Sequence, residues 1–449
     1  MLLRRQIMLN ENSPVQFSDS LPKSVDVVVI GAGIIGISTA WFLSQRGLSV
    51  AVCEKDRVAG EQSSRNWGWI RKHGRDRAEL PIVIEALEHW QSFAKQLDED
   101  IGFERHGVLY LAENEYELAA RERWLSIARD HDLDTKMVGK PELGQLLKNT
   151  PQGWIGGAYT ASDARAEPFL AVPALARAAQ NRGVSITEEC AARTLDFTAG
   201  SVSGVVTELG LIKCHSVVCA GGAWSSLFCR HHGFDFPQLT VRASVARTAP
   251  GAEIFKGSAA GSGIAFRKRT DGGYTLAANG FFDHYVCRDS FRYFKQFLPT
   301  IGRAYSDFSL RFTDGLIDRL KARDLWSADT ISPFERERVL NPDPSPAAIA
   351  EIGMRVKRYL PALADLPLIQ TWAGMIDTTP DIVPVMDRVP NVNGLFVAAG
   401  FSGHGFGIGP GAGRIMADMV SGNALGHDVS RFRLSRFSDG SKLEIGPAI

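Results

Sequence analysis

Residues 25–55 read VDVVVIGAGIIGISTAWFLSQRGLSVAVCEK. Two apolar runs, Val27–Ile30 and Leu48–Cys53, flank a stretch with Ile37, Ala40, Trp41 and Ser44 at helical spacing. The segment therefore reads strand, helix, strand, with the strands buried as in a parallel sheet. Gly31-Ala32-Gly33-Ile34-Ile35-Gly36 fits G-x-G-x-x-G at the strand-to-helix turn. Gly31 permits the tight turn, Gly33 lets the backbone approach a pyrophosphate, and Gly36 lets helix pack on strand. The helix N-terminus, entered at Ile34 and Ile35, offers free N–H groups and a partial positive charge to phosphate. Glu54, followed by Lys55, ends the second strand, where a carboxylate can accept hydrogen bonds from ribose hydroxyls. The predicted class is α/β with a Rossmann-like dinucleotide-binding domain. This stretch alone does not choose between FAD and NAD.

The chain's bulk properties narrow the partners. At 449 residues it is long enough for two domains, and 45% hydrophobic with 22% charged is ordinary for a globular protein. Lys+Arg and Asp+Glu both count 50, which argues against nucleic acid. Six cysteines form no CxxC pair, and no clustered metal ligands are found. No signal-peptide core or spanning apolar run is read, so a cytoplasmic address is expected, with peripheral contact on the inner membrane left open.

Residues 59–71, AGEQSSRNWGWIR, resemble the FAD-dependent amine and amino-acid oxidoreductases of the D-amino-acid oxidase superfamily. That superfamily includes glycine and sarcosine oxidases, D-amino-acid dehydrogenases and membrane-associated bacterial amino-acid deaminases. The GEQSSR run is most similar to the deaminases. The resemblance implies that Gln62, Ser63, Ser64 and Arg65 line the pyrophosphate and ribityl part of FAD, with Gly68 and Trp69 beside its ring. Trp67 and Trp69 also suit an aromatic core. The stretches 186–197 and 205–226 look like the β-meander and closing strand of this fold. By position, Ala192 would meet adenine, and Ala220, Gly221, Gly222 and Trp224 would pass under the dinucleotide.

A second glycine cluster, GFSGHGFGIGPGAG at 400–413, follows the short strand Leu395–Ala399 and precedes the helical RIMADMVSG. FAD is long, and its ring needs a support distinct from the first turn. Backbone amides of Gly403, His404, Gly405, Phe406 and Gly407 are expected to face the ring and stabilise the charge that reduction places on it. The family resemblance assigns the same task to this segment. His404 is read as a backbone contributor rather than a proton shuttle.

Substrate residues are less legible. TWAGMIDTTPDIVPVMD at 371–387 returns toward the flavin, with Trp372 and Gly374 as candidates. Many relatives carry a carboxylate-binding arginine near Met375 or Ile376, and this chain has none there. Arg267, in the hairpin GIAFRKRTDGGY, is the expected replacement by resemblance to the deaminases, because a guanidinium pairs bidentately with a carboxylate. The alternative is that Arg267, Lys268 and Arg269 are solvated hairpin charges.

The predicted organisation is an N-terminal extension (1–23), a discontinuous FAD-binding domain (24–77, 161–239 and 371–449) and a sheet-based substrate domain (78–160 and 240–370). The first of the substrate segments is expected to be mostly helical. Residues 281–345 are either a membrane- or acceptor-facing insertion or a cover over the cavity. The implied reaction is oxidation of an amino acid, hydride passing from the amine-bearing carbon to flavin N5 and the imine hydrolysing to a 2-oxo acid and ammonia. The electron acceptor is oxygen, a quinone or a cytochrome chain. A secondary-amine oxidase or dehydrogenase and a non-catalytic FAD-binding subunit are the alternatives.

Overall fold

A computed structural model describes residues 8–148, 153–304, 308–312 and 325–446. Parts of the 281–345 stretch, and the first seven residues of the N-terminal extension, lie outside them.

The strand β1 (Val27–Ile30) continues through the glycine turn into helix α1 (Ile34–Gln45) and returns as β2 (Val50–Cys53). Leu48 and Ser49 stay outside the strand, with the Ser49 amide held by Asp26 at 2.7 Å. A third strand, β3 (Ser185–Thr187), pairs with β2, and β4 (Ser216–Cys219) pairs with the other side of β1. The sheet is completed by β5 (Val385–Arg388) and β6 (Leu395–Ala399), giving the order β5-β6-β4-β1-β2-β3. All pairs are parallel except β5 with β6. The central strands are apolar and buried on both faces, as a parallel sheet covered on each side requires. A three-stranded antiparallel meander (Ala192–Thr198, Ser201–Thr207, Gly210–Lys213) sits between β3 and β4 in the chain.

The second sheet has nine strands and is mostly antiparallel. Its hairpin Ile264–Lys268 to Tyr274–Tyr285 turns where DGG predicts. The 78–160 stretch departs from expectation. It holds the helices α2 (Leu80–Gln96) and α3 (Glu115–Asp130), but also three strands, Val108–Ala112, Thr135–Gly139 and Gly156–Thr160, that extend this sheet. Each is only five residues long, too short for a period to separate strand from helix.

Helix α4 (Gly405–Ser421) begins inside the second glycine cluster rather than after it. Its later glycines serve packing. A methyl group at Gly409 would lie 2.5 Å from Ile34, at Gly411 2.6 Å from the Ile82 carbonyl oxygen, and at Gly413 2.5 Å from Ser38. Bare backbone there lets α4 lie directly on α1 and α2, so the two glycine clusters, remote in sequence, are in contact.

Candidate active site

One cavity of about 1090 Å³ runs from the first glycine turn to the second sheet. Ligand pockets span roughly 300–1,000 Å³, so it has room for a large dinucleotide and a small substrate.

At one end, Gly31 has φ +99°, and a methyl group on it would approach the Ala220 carbonyl oxygen at 2.6 Å. Gly33, Ile34 and Ile35 line the cavity here, opposite Ala192, Ala220, Gly221 and Gly222. Gly36 does not reach it. A methyl group there would sit 1.9 Å from the Gly31 carbonyl oxygen, so its role is the close helix–strand contact. Glu54 accepts hydrogen bonds from the Ala32 amide at 2.7 Å and the Asp56 amide at 3.0 Å. Burial pushes its carboxyl up to about 7. Lys55 pairs with Glu61 at 3.0 Å and lies over the Trp224 ring, whose N–H donates to the same Glu61 at 2.9 Å.

The GEQSSR run forms one helical turn, Gln62–Arg65. Gln62 and Ser63 face the cavity, and the Ser63 hydroxyl accepts from the Ile34 amide at 2.9 Å. Arg65 also borders it, but its guanidinium holds the carbonyls of Gly60, Leu340 and Ala373 at 3.0, 2.7 and 3.2 Å. Its task is to fasten three segments. Ser64 points the other way, into a small pocket shared with Arg267 and Trp372.

That placement corrects two substrate expectations. Arg267 is 1% exposed and forms a bidentate ion pair with the fully buried Glu167 at 3.0 and 2.8 Å. Glu167 is held down to about 2 by the neighbouring guanidinium despite its burial. The Gly68 turn lies against the Arg267 side chain, so neither residue lines the large cavity. Trp372 is tucked under the Gln62–Arg65 turn, its N–H donating to the Arg65 carbonyl at 2.9 Å. Trp69 and Gly374 do line the cavity.

Another part of the cavity wall is Gly403 to Gly407. His404 stands at the N-cap position of α4 without a side-chain bond to its amides, and its own amide is spent on the Phe401 carbonyl at 2.7 Å. The first-turn amides of α4, from Gly405 onward, have no carbonyl one turn back to bond. The Gly407 carbonyl accepts from the Trp90 N–H at 3.0 Å. The His404 imidazole packs 3.6 Å from Glu79, both buried.

Beyond Trp69 lies a group that sequence reasoning missed. Arg71 donates to the His73 carbonyl at 2.9 Å and to the Tyr110 hydroxyl. His73 is stacked between Tyr110 (4.3 Å, 20°) and Trp124 (4.4 Å, 18°). Burial, then the nearby Arg71 and Arg121, keeps His73 well below the usual imidazole range, so it is neutral. Arg75 is 5% exposed, lines the cavity, and has Nε and Nη2 without a hydrogen-bond partner. A buried cation of this kind calls for an anion in the cavity. The signal for Arg71 was present, two residues after Trp69 at the end of the AGEQSSRNWGWIR stretch. Tyr110 and Trp124 belong to elements whose role the sequence did not reveal.

A parallel sheet with a dinucleotide turn, joined to an antiparallel sheet across one long cavity, defines a dinucleotide-binding protein with room for a second ligand. The sequence matches the DAO family, FAD dependent oxidoreductase, over residues 26–419, and the chain belongs to that family. FAD is accordingly its cofactor. The glycine-cleared turn, the uncapped α4 amides and the unpartnered Arg75 fit a long anionic dinucleotide. The chain is similar to the L-amino acid deaminase from Proteus myxofaciens, solved in complex with anthranilate: TM-score 0.92, 29% identity, 96% of this chain and 98% of that one. It is also similar to the L-amino acid deaminase from Proteus vulgaris, at TM-score 0.89 and 30% identity over 94% and 99%. Mitochondrial sarcosine dehydrogenase of Mus musculus is 25% identical over 441 residues, 94% of this chain. The chain spans 42% of that relative's length.

Proposed function

We propose that the protein oxidises an amino acid at the carbon bearing its nitrogen. The observation that carries this reading is Arg71, a guanidinium facing the cofactor cavity with no carboxylate partner among the described residues. Bound FAD supplies the two-electron acceptor for the hydride. The chain supplies position. Arg71 is suited to hold the substrate carboxylate in a charge-assisted pair, its own orientation fixed by the His73 carbonyl and Tyr110 hydroxyl. Trp67 and Trp69, edge to face at 5.5 Å, wall the cavity with apolar surface. Burial and the nearby arginines make His73 a weak base, so no strong base is presented. A substrate whose amine is already neutral needs none. The imine product hydrolyses to a 2-oxo acid and ammonia.

A secondary-amine substrate is the second reading, favoured by the likeness to sarcosine dehydrogenase. Ammonia among the products supports the first reading, and a smaller amine the second.

The helix Phe294–Ala304 supports contact with a membrane or a membrane-bound acceptor. Tyr293, Phe297 and Thr300 turn inward, while Phe291, Phe294, Leu298 and Ile301 are exposed at 66, 52, 47 and 43% beside Lys295. Such a stripe matches an interfacial helix. Among the described residues no helix is long and apolar enough to cross a membrane.

The deciding experiment is anaerobic titration of the FAD-loaded protein with separate pools of L- and D-amino acids. Bleaching of the flavin band near ~450 nm supports the reading. A flavin that stays oxidised with every primary and secondary amine rejects it, in favour of a non-catalytic subunit.

A further inference from the structure

Arg121, on α3, borders the same cavity, and its guanidinium carbon lies 5.4 Å from the centroid of the Tyr110 ring. Arg71 lies 5.5 Å from the same centroid. Two cations are thus held around one aromatic ring, against a stack whose imidazole is uncharged. Neither forms an ion pair among the described residues. Arg121 Nε is buried without a hydrogen-bond partner, and so is the N–H of Trp124, one turn along α3. Glu117, one turn earlier, also borders the cavity. Its carboxylate turns back to accept from the Glu113 amide at 2.9 Å and makes no ion pair with Arg121. Arg121 therefore brings positive charge to this wall. One carboxylate on Arg71 would leave the second guanidinium, itself only partly buried, without an anionic partner.

We propose that Arg121 forms a subsite for a second acidic group, so that the substrate is an amino dicarboxylate, acidic at the end remote from the carbon that is oxidised. This rests on the reading that Arg71 takes the carboxylate next to the amine. Arg121 is a specificity residue here. It does not touch the bond that breaks. The Tyr110–His73–Trp124 stack sets its distance from Arg71 and so the length of chain that fits.

The test uses the FAD-loaded full chain and two readouts. The first is binding of unreactive acids, glutarate and succinate against butyrate and propionate, by calorimetry and thermal shift. The second is flavin bleaching by matched pairs: glutamate with glutamine, aspartate with asparagine, and iminodiacetate with N-methylglycine, both enantiomers where they exist. The expected result is at least tenfold tighter binding and faster bleaching for the dicarboxylic member. In Arg121→Met that ratio falls below threefold, and Arg121→Lys restores part of it. Equal binding of mono- and dicarboxylates by the unaltered protein overturns the subsite, even where amines bleach the flavin. A ratio that survives in Arg121→Met overturns it as well. Should Arg121→Met raise the dissociation constants of both acid classes by the same factor, Arg121 shares the first carboxylate and the proposal fails. Absence of bleaching by every amine defeats the reading of amine oxidation, while the acid-binding ratio still decides the subsite.

Discussion

The Ser63 hydroxyl accepts a hydrogen bond from the Ile34 amide at 2.9 Å. It thereby fastens the GEQSSR turn to the first turn of α1, where a phosphate is expected. The same contact explains the limited space at Gly33, where a methyl group would lie 3.0 Å from that oxygen. Gly33→Ala is expected to weaken FAD binding at least tenfold, with the fold retained. Gly36→Ala, facing a carbonyl oxygen at 1.9 Å, is expected to yield insoluble or flavin-free protein. The ratio of flavin to protein absorbance after purification separates the two.

Arg267 and Arg71 give opposite signatures. Arg267→Ala leaves the Glu167 carboxylate buried without its bidentate partner and is expected to destabilise by about 3–5 kcal/mol. Arg71→Met, at a partly buried position on the cavity wall, is expected to raise KM for the amino-acid substrate at least tenfold and shift melting much less. Paired melting and steady-state measurements on both variants check this. A large KM change with no loss of stability in Arg267→Ala would reverse the two assignments.

Stability of the FAD-free protein is expected to fall as pH rises through 6–7. Burial raises Glu54 and Asp163 to about 7 and Asp377 to about 6. A carboxyl whose pKa is raised on folding stabilises the fold below its ordinary value and loses that contribution as pH climbs through the folded one. Glu54→Gln is therefore expected to gain stability over the parent at pH 8, on the order of 2 kcal/mol, and to lose that advantage at pH 5. Denaturant midpoints at the two pH values test it. Glu167, lowered to about 2, acts with the opposite sign and only in acid.

The exposed stripe on the Phe294–Ala304 helix predicts co-sedimentation with vesicles containing anionic lipid. Phe294→Ser with Leu298→Ser is expected to reduce the bound fraction several-fold while flavin content holds. Equal sedimentation by the parent and the double variant would remove the membrane from the account.

What the sequence disclosed followed from how local each signal is. The β1–α1–β2 unit and the strand Leu395–Ala399 are written in contiguous residues, because a buried parallel strand is apolar throughout and its turn needs glycine. The DGG hairpin is equally local. The fate of Arg267 was not, because its partner Glu167 is a hundred residues away. A guanidinium that binds substrate and one that ties two segments together look alike in one dimension. Arg121 was hidden for the converse reason, since what marks it is the lack of an ion-pair partner among the described residues, and Tyr110 because its partners Arg71 and His73 come from a remote segment. The helical glycines 409, 411 and 413 were read with their neighbours as a turn, since the surfaces they accommodate belong to α1 and α2.

The order β5-β6-β4-β1-β2-β3 has a consequence for biosynthesis. β1, β2 and β3 are made before β4, and β6, which closes β4, follows it by more than 170 residues. For tens of seconds of translation the nascent sheet lacks an outer neighbour, and α1 lacks the helix that lies against it. Cofactor capture thus waits until β6 and α4 are made, and a ribosome stalled before them would display an unpaired strand edge, the surface most prone to join its neighbours in an aggregate.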